Sequence, residues 1–127
     1  MEMLKNAISW FEIPVIDFDR AKMFYSAIYD YKMPELTMGT VRMGFMLHDQ
    51  EGGGIGGAIV TGDGTSPSDP GVKIYLNAGN DLNTVLHRVE AAGGKIVQEK
   101  TEITPEFGFY ATFRDTEGNT ISLHSMS

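Results

Sequence analysis

The chain has 127 residues, a formal charge of −7, 42% hydrophobic and 21% charged residues, and no cysteine. This is enough chain for one domain-sized core. The absence of cysteine excludes disulfides, thiolate nucleophiles and cysteine-based zinc sites, and the acidic balance with only 10 scattered basic residues argues against nucleic acid as a partner. The acidic field favours a cationic or neutral ligand.

Ala7 to Val15 is rich in aromatic and β-branched residues and reads as the first strand, with one carboxylate, Glu12, in an otherwise apolar run. A buried acid there needs partners or a proton. Asp17 is placed to cap a helix over Phe18 to Tyr29, where Phe18, Ala21, Tyr25 and Ile28 recur at helical spacing. Tyr31 to Met38 and Thr40 to His48 read as strands, and Gly52-Gly53-Gly54 bends the chain into a fourth strand ending at Val60. That glycine run opens no helix, so it is not read as a dinucleotide loop.

Thr61 to Gly71, with Asp63, Gly64, Pro67, Ser68, Asp69 and Pro70, is the one linker-like stretch. Val72 to Asn77 then reads as a strand. Asp81 opens a helix with the apolar stripe Leu82, Val85, Leu86, Val89 and Ala92, and Gly93-Gly94 stops it. Lys95 to Gln98, Phe109 to Phe113 and Asn119 to His124 complete the chain as strands, the last two joined through Asp115-Thr116-Glu117-Gly118-Asn119.

At an offset of roughly 64 residues, Asp17 falls on Asp81, Phe18 on Leu82, Ala21 on Val85, Tyr25 on Val89 and Ile28 on Ala92. Both halves read strand, helix and three strands. The expectation is an α+β fold in one domain, residues 1–127, of two βαβββ units at about 1–61 and 71–127. Two such units side by side form a curved, cup-like mixed sheet with a helix outside each unit, and the concave surface would hold a ligand.

The strand into Val15-Ile16-Asp17-Phe18-Asp19-Arg20-Ala21, the pair Phe24-Tyr25, the helix end Ala91-Ala92-Gly93-Gly94, the strand Phe109 to Phe113 and the turn Asp115 to Asn119 follow one another in a familiar order. In these the chain resembles the vicinal oxygen chelate superfamily, which includes glyoxalase I, bleomycin-resistance proteins, extradiol dioxygenases and fosfomycin-resistance enzymes. The resemblance implies a homodimer and, in the superfamily's metalloenzymes, a divalent metal held from the first strand, the strand opening the second half, the fourth strand and the last strand. Here those positions carry Trp10, Ile74 or Tyr75, the span Gly56 to Val60, and Ser122, which are poor divalent ligands. No metal residue and no cofactor are therefore assigned, with a displaced divalent site kept as an alternative.

Glu12 lies two residues past Trp10 and His124 two past Ser122, so each shares a strand face with the position it follows. If the first and last strands approach as the resemblance implies, Glu12 and His124 could act as base and acid, bind a cation or hold a ligand; a purely structural polar pair is the competing reading. They are the candidate catalytic residues, and Trp10, Glu12, Tyr75, Phe109, Ser122 and His124 the candidate ligand contacts. His48 beside Asp49 reads as an exposed turn and His87 as a solvated helix position. Three functions stay open: a metal-free small-molecule binder, a glyoxalase-like lyase or dioxygenase with a displaced metal site, and an assembly module with a vestigial cup. The start lacks a basic region followed by a long apolar core and no run reaches membrane-span length, so a cytoplasmic location without membrane contact is expected.

Overall fold

In the computed structural model, residues 1–62, 65–67 and 71–127 are described. Asp63, Gly64, Ser68, Asp69 and Pro70 of the expected linker lie outside the described residues. The first unit comprises β1 (Phe11–Pro14), α1 (Phe18–Tyr29), β2 (Glu35–Met38), β3 (Val41–Phe45) and β4 (Gly57–Thr61). The second comprises β5 (Tyr75–Asn77), α2 (Asn83–Leu86), β6 (Lys95–Thr104), β7 (Gly108–Arg114) and β8 (Thr120–Ser125). Each unit makes one four-stranded mixed sheet, and the two orders, β1-β4-β3-β2 and β5-β8-β7-β6, are the same topology. In both, the first strand runs parallel to the last and the remaining pairs are antiparallel. The repeat in the sequence is thus a repeat in space.

α1 forms where its sequence predicts. Asp17, in extended conformation, accepts the Arg20 backbone N–H through its side chain at 3.1 Å, relieving one orphan donor of the first turn. Asp30 ends the helix in the left-handed region at φ 51°, and the N–H of Tyr31 returns to the Ser26 carbonyl at 3.1 Å. Phe18, Ala21, Phe24, Tyr25 and Ile28 are all buried along one stripe.

The matching segment of the second unit is helical for only one turn. Beyond Leu86 most bonds span three residues, Arg88 to Val85, Val89 to Leu86 and Gly93 to Glu90, which are tighter than α geometry, while the Ala92 N–H is shared between the Arg88 and Val89 carbonyls. Its apolar stripe is nonetheless buried, with Leu82, Leu86 and Val89 fully covered. The hydrophobic spacing tolerates this because three- and four-residue intervals both return to the same face.

One core joins the helices to a single face of each sheet. Ile13, Ile59 and Met33 from the first unit pack in the same cluster as Leu76, Ala111, Phe113, Ile121 and Leu123 from the second. Phe24 meets Tyr25 edge-on at 5.0 Å between ring centroids and Phe113 at 5.8 Å, so α1 bridges the units. Side chains alternate along strands, so the neighbours of these residues point to the opposite, helix-free face. On the first sheet that face carries a small separate cluster of Met43, Ala58 and Val60, with Val41 and Phe45 against it.

Candidate functional site

Register places the expected contacts. Glu12 lies opposite Ala58 on β4, and Phe45 lies opposite Ala58 from the other side, so Glu12, Ala58 and Phe45 share the helix-free face of the first sheet. Trp10 precedes β1 on the same face. Its indole Nε1 donates to the Glu12 carboxylate at 3.2 Å, and its ring meets Phe45 edge-on at 6.2 Å with an interplanar angle of 64°. Trp10 is 38% exposed. Glu12 is exposed as well, which corrects the expectation of a buried acid. The cause is alternation: Ile13 takes the core side of β1, and among the described residues no helix covers the face Glu12 occupies.

On the second sheet Tyr75 faces Ser122, and Asn77 faces His124. Thr112 and Tyr110 on β7 oppose Ser122 and His124 from the other side. The hydroxyls of Ser122 and Thr112 are 3.1 Å apart and buried, so each is satisfied by the other. His124 is half-buried, and its Nε2 donates to the Phe107 carbonyl at 2.6 Å. The Lys73 ammonium lies 5.4 Å from the centre of the Tyr75 ring and 5.9 Å from that of Tyr110.

Phe109, expected on the ligand wall, has Ser125 and not Ser122 as its register partner, which turns its ring toward the helix side, where it packs against the core. Glu12 and His124 are not hydrogen-bonded to one another among the described residues. Glu12 lines a cavity of about 550 Å³ with Phe11, Pro14, Ile74 and Ile121, whereas His124 lines another of about 570 Å³ with Tyr75, Asn77 and Met126. The residue preceding β8, at its opposite end from His124, is the one that reaches β1: Asn119 Nδ2 donates to the Pro14 carbonyl at 2.7 Å. His124 stands five residues farther along, about 16 Å of extended chain. His48, expected in an exposed turn, is half-buried, with Nδ1 3.3 Å from the Met46 carbonyl and its ring lying against Gly56.

Two acidic residues carry more structure than the sequence alone disclosed. Glu117 is buried and accepts the backbone N–H groups of Ile16 at 2.8 Å and Asp17 at 2.6 Å, the Arg20 guanidinium at 2.7 and 3.1 Å, and the Thr116 hydroxyl at 2.8 Å. Burial alone would raise its pKa, but Arg20 and these donors overcome that and hold it at about 2. Asp115, also buried, accepts the Tyr25 hydroxyl at 2.8 Å, the Asn119 side-chain amide at 3.0 Å and the backbone N–H groups of Glu117 and Asn119. Burial, then the charge of Asp115, pushes the Tyr25 phenol well above its ordinary value. The turn between β7 and β8 is thus a clamp on the start of α1. The only trace of it in the sequence is an acid-rich turn, because its partners lie about 100 residues away.

With this architecture in view, the model of the Glyoxalase/Bleomycin resistance protein/Dioxygenase superfamily matches residues 7–123. The chain belongs to this superfamily. A glyoxylase-like domain-containing protein of Didymella fabae is 32% identical over 120 residues, covering 93% of this chain and 92% of that one. Among solved structures, a glyoxylase/bleomycin resistance protein/dioxygenase domain from Frankia sp. EAN1pec superposes with a TM-score of 0.69 at 22% identity, covering 94% of this chain and 91% of that one. A mutant of the genomically encoded fosfomycin resistance protein FosX from Listeria monocytogenes, complexed with Mn(II), superposes with a TM-score of 0.61 at 15% identity, covering 98% of this chain and 93% of that one. These two likenesses are of fold.

The residues at the superfamily's metal positions do not fit a divalent cation. The central strands present Trp10 and Glu12, Ala58 and Val60, Tyr75, and Ser122 and His124 on their helix-free faces. One carboxylate and one imidazole, lining separate cavities, do not make a divalent site, and Ser122 is already engaged by Thr112. Among the described residues no three His, Asp or Glu side chains converge as a ligand set. No described helix is long and apolar enough to cross a membrane.

Proposed function

We propose that this chain is a small-molecule-binding member of the superfamily that holds an organic ligand on its helix-free faces without the superfamily's usual metal. The observation that carries the reading is the exchange of ligand chemistry at the central strands: aromatic rings and hydroxyls stand where carboxylates and imidazoles would bind a cation. Trp10 and Phe45 form an edge-to-face pair beside the carboxylate of Glu12. A cation over such a ring gains about 1–2 kcal/mol as it sheds water, and the adjacent carboxylate adds an ion pair. The ligand class is therefore an aromatic or quaternary ammonium compound, with Glu12 as its counter-charge and Trp10 and Phe45 as its aromatic wall. In this reading the protein is a cytoplasmic homodimer.

Trp10 is the single tryptophan of the chain, so its fluorescence reports on this face alone. Titration with benzyltrimethylammonium should give a saturable change, with its uncharged carbon isostere at least about tenfold weaker and Glu12→Gln costing a similar factor. An unsaturable signal, or equal binding of the charged and uncharged compounds, would overturn the reading.

A further inference from the structure

We infer that the seam between β1 and β5 holds a second site, selective for a small organic anion. A cavity of about 660 Å³ lies there, lined by Lys5, Asn6, Phe11, Lys73, Tyr75 and Asn77 and by the glycine-rich stretch from Gly53 to Gly57. This is a volume suited to a small molecule. No Asp or Glu is among the described residues that line it, although the chain as a whole carries seven more acids than bases. The local charge therefore opposes the global one.

The two lysines are available. Arg20, Lys22, Arg42 and Lys100 are ion-paired with Glu117, Glu35, Asp19 and Glu35, and Asp81. Lys5 and Lys73 make no ion pair among the described residues, and Lys73 is instead steered over the Tyr75 and Tyr110 rings. An anion entering this cavity meets two lysines and no carboxylate among the described lining residues, so it gains attraction without a competing repulsion. The glycine-rich stretch adds no charged side chain to the lining. Phe11, whose ring covers Gly57, and Tyr75 supply an apolar wall for a flat body. The shared chemistry is an aryl or short alkyl carboxylate or phosphate monoester, bound through charge-assisted hydrogen bonds to the two ammonium groups. The inference does not rest on the cationic reading at Glu12; Lys73 and Phe11 line the Glu12 cavity too, so Lys5→Gln, which touches the anion cavity and not that one, and Glu12→Gln, which does the reverse, make the two fail separately.

The test is calorimetric titration with benzoate, phenyl phosphate and benzamide, with amide chemical shifts locating the site. One of the two anions should saturate, shifting Gly54 to Gly56, Tyr75 and Asn77, and the neutral benzamide should bind at least about tenfold more weakly. The anion that binds tighter names the headgroup. Lys5→Gln and Lys73→Gln, both at exposed positions, should each weaken it by about tenfold. Lys95→Gln, outside the cavity, should change nothing, and all three variants should melt like the parent. Equal binding of benzoate and benzamide, saturation by neither anion, shifts confined to other regions, or unchanged affinity in both cavity variants would overturn the inference.

Discussion

Replacing Glu117 by Gln tests the clamp between the two units. The carboxylate is buried and its pKa is held at about 2 against an ordinary value of 4.5, so the ionised form is stabilised by folding. That difference corresponds to about 3 kcal/mol. A depressed carboxylate contributes fully above its unfolded pKa and loses its contribution as pH falls through the folded value, so the window lies between 4.5 and about 2. Gln can keep the acceptor for the Ile16 and Asp17 N–H groups but brings an NH₂ group against the Arg20 Nε–H and the Thr116 hydroxyl, and leaves Arg20 without its charged partner. The variant should therefore be about 3 kcal/mol less stable at pH 7, a melting point lower by roughly 10 °C. At pH 3 the deficit should shrink by about 2 kcal/mol, because the parent has by then lost most of the same term. Urea unfolding of both proteins at pH 7 and pH 3 measures the difference, which cancels the other carboxylates. A deficit below about 0.5 kcal/mol at pH 7, or one that does not change with pH, would refute the reasoning.

Two further substitutions probe neighbouring parts of the structure. Tyr25→Phe removes one of the donors to the buried Asp115 while Asn119 keeps another, so urea unfolding should show a loss of about 1–2 kcal/mol. Gly108→Ala should cost more than about 2 kcal/mol on the same assay, because Gly108 sits at φ +82° and a Cβ there would run into the Ser125 carbonyl and the Met126 backbone.

The repeat, both sheets and α1 were legible because their signals are local. An Asp cap, a stripe at helical spacing and glycine punctuation say the same thing as the tertiary structure over Phe18 to Tyr29. α2 was legible as a buried stripe but not as a single turn, since apolar spacing does not distinguish α from tighter helical bonding. Strand parity correctly put Glu12 on the face of Trp10, but parity does not say what covers a face, and here nothing covers it enough to bury the carboxylate. Phe109 was misplaced for a related reason. Its side depends on the register of β7 against β8, which is set by pairing with Ser125 across the turn. Glu117 was invisible as a clamp because all its distant partners belong to the start of α1 and the residues before it.

The claim that the helix-free face takes an organic ligand in place of a divalent metal is tested most directly by metal loading. Protein purified without chelators and challenged with nickel, zinc, manganese and iron(II) would be assayed by elemental mass spectrometry after desalting. The donor set of Trp10, Glu12, Tyr75, Ser122 and His124 predicts far less than one metal per chain, with Trp10 fluorescence still responding to benzyltrimethylammonium. Retention near one metal per chain that disappears in Glu12→Gln or His124→Ala would contradict the account and point to a displaced metal site.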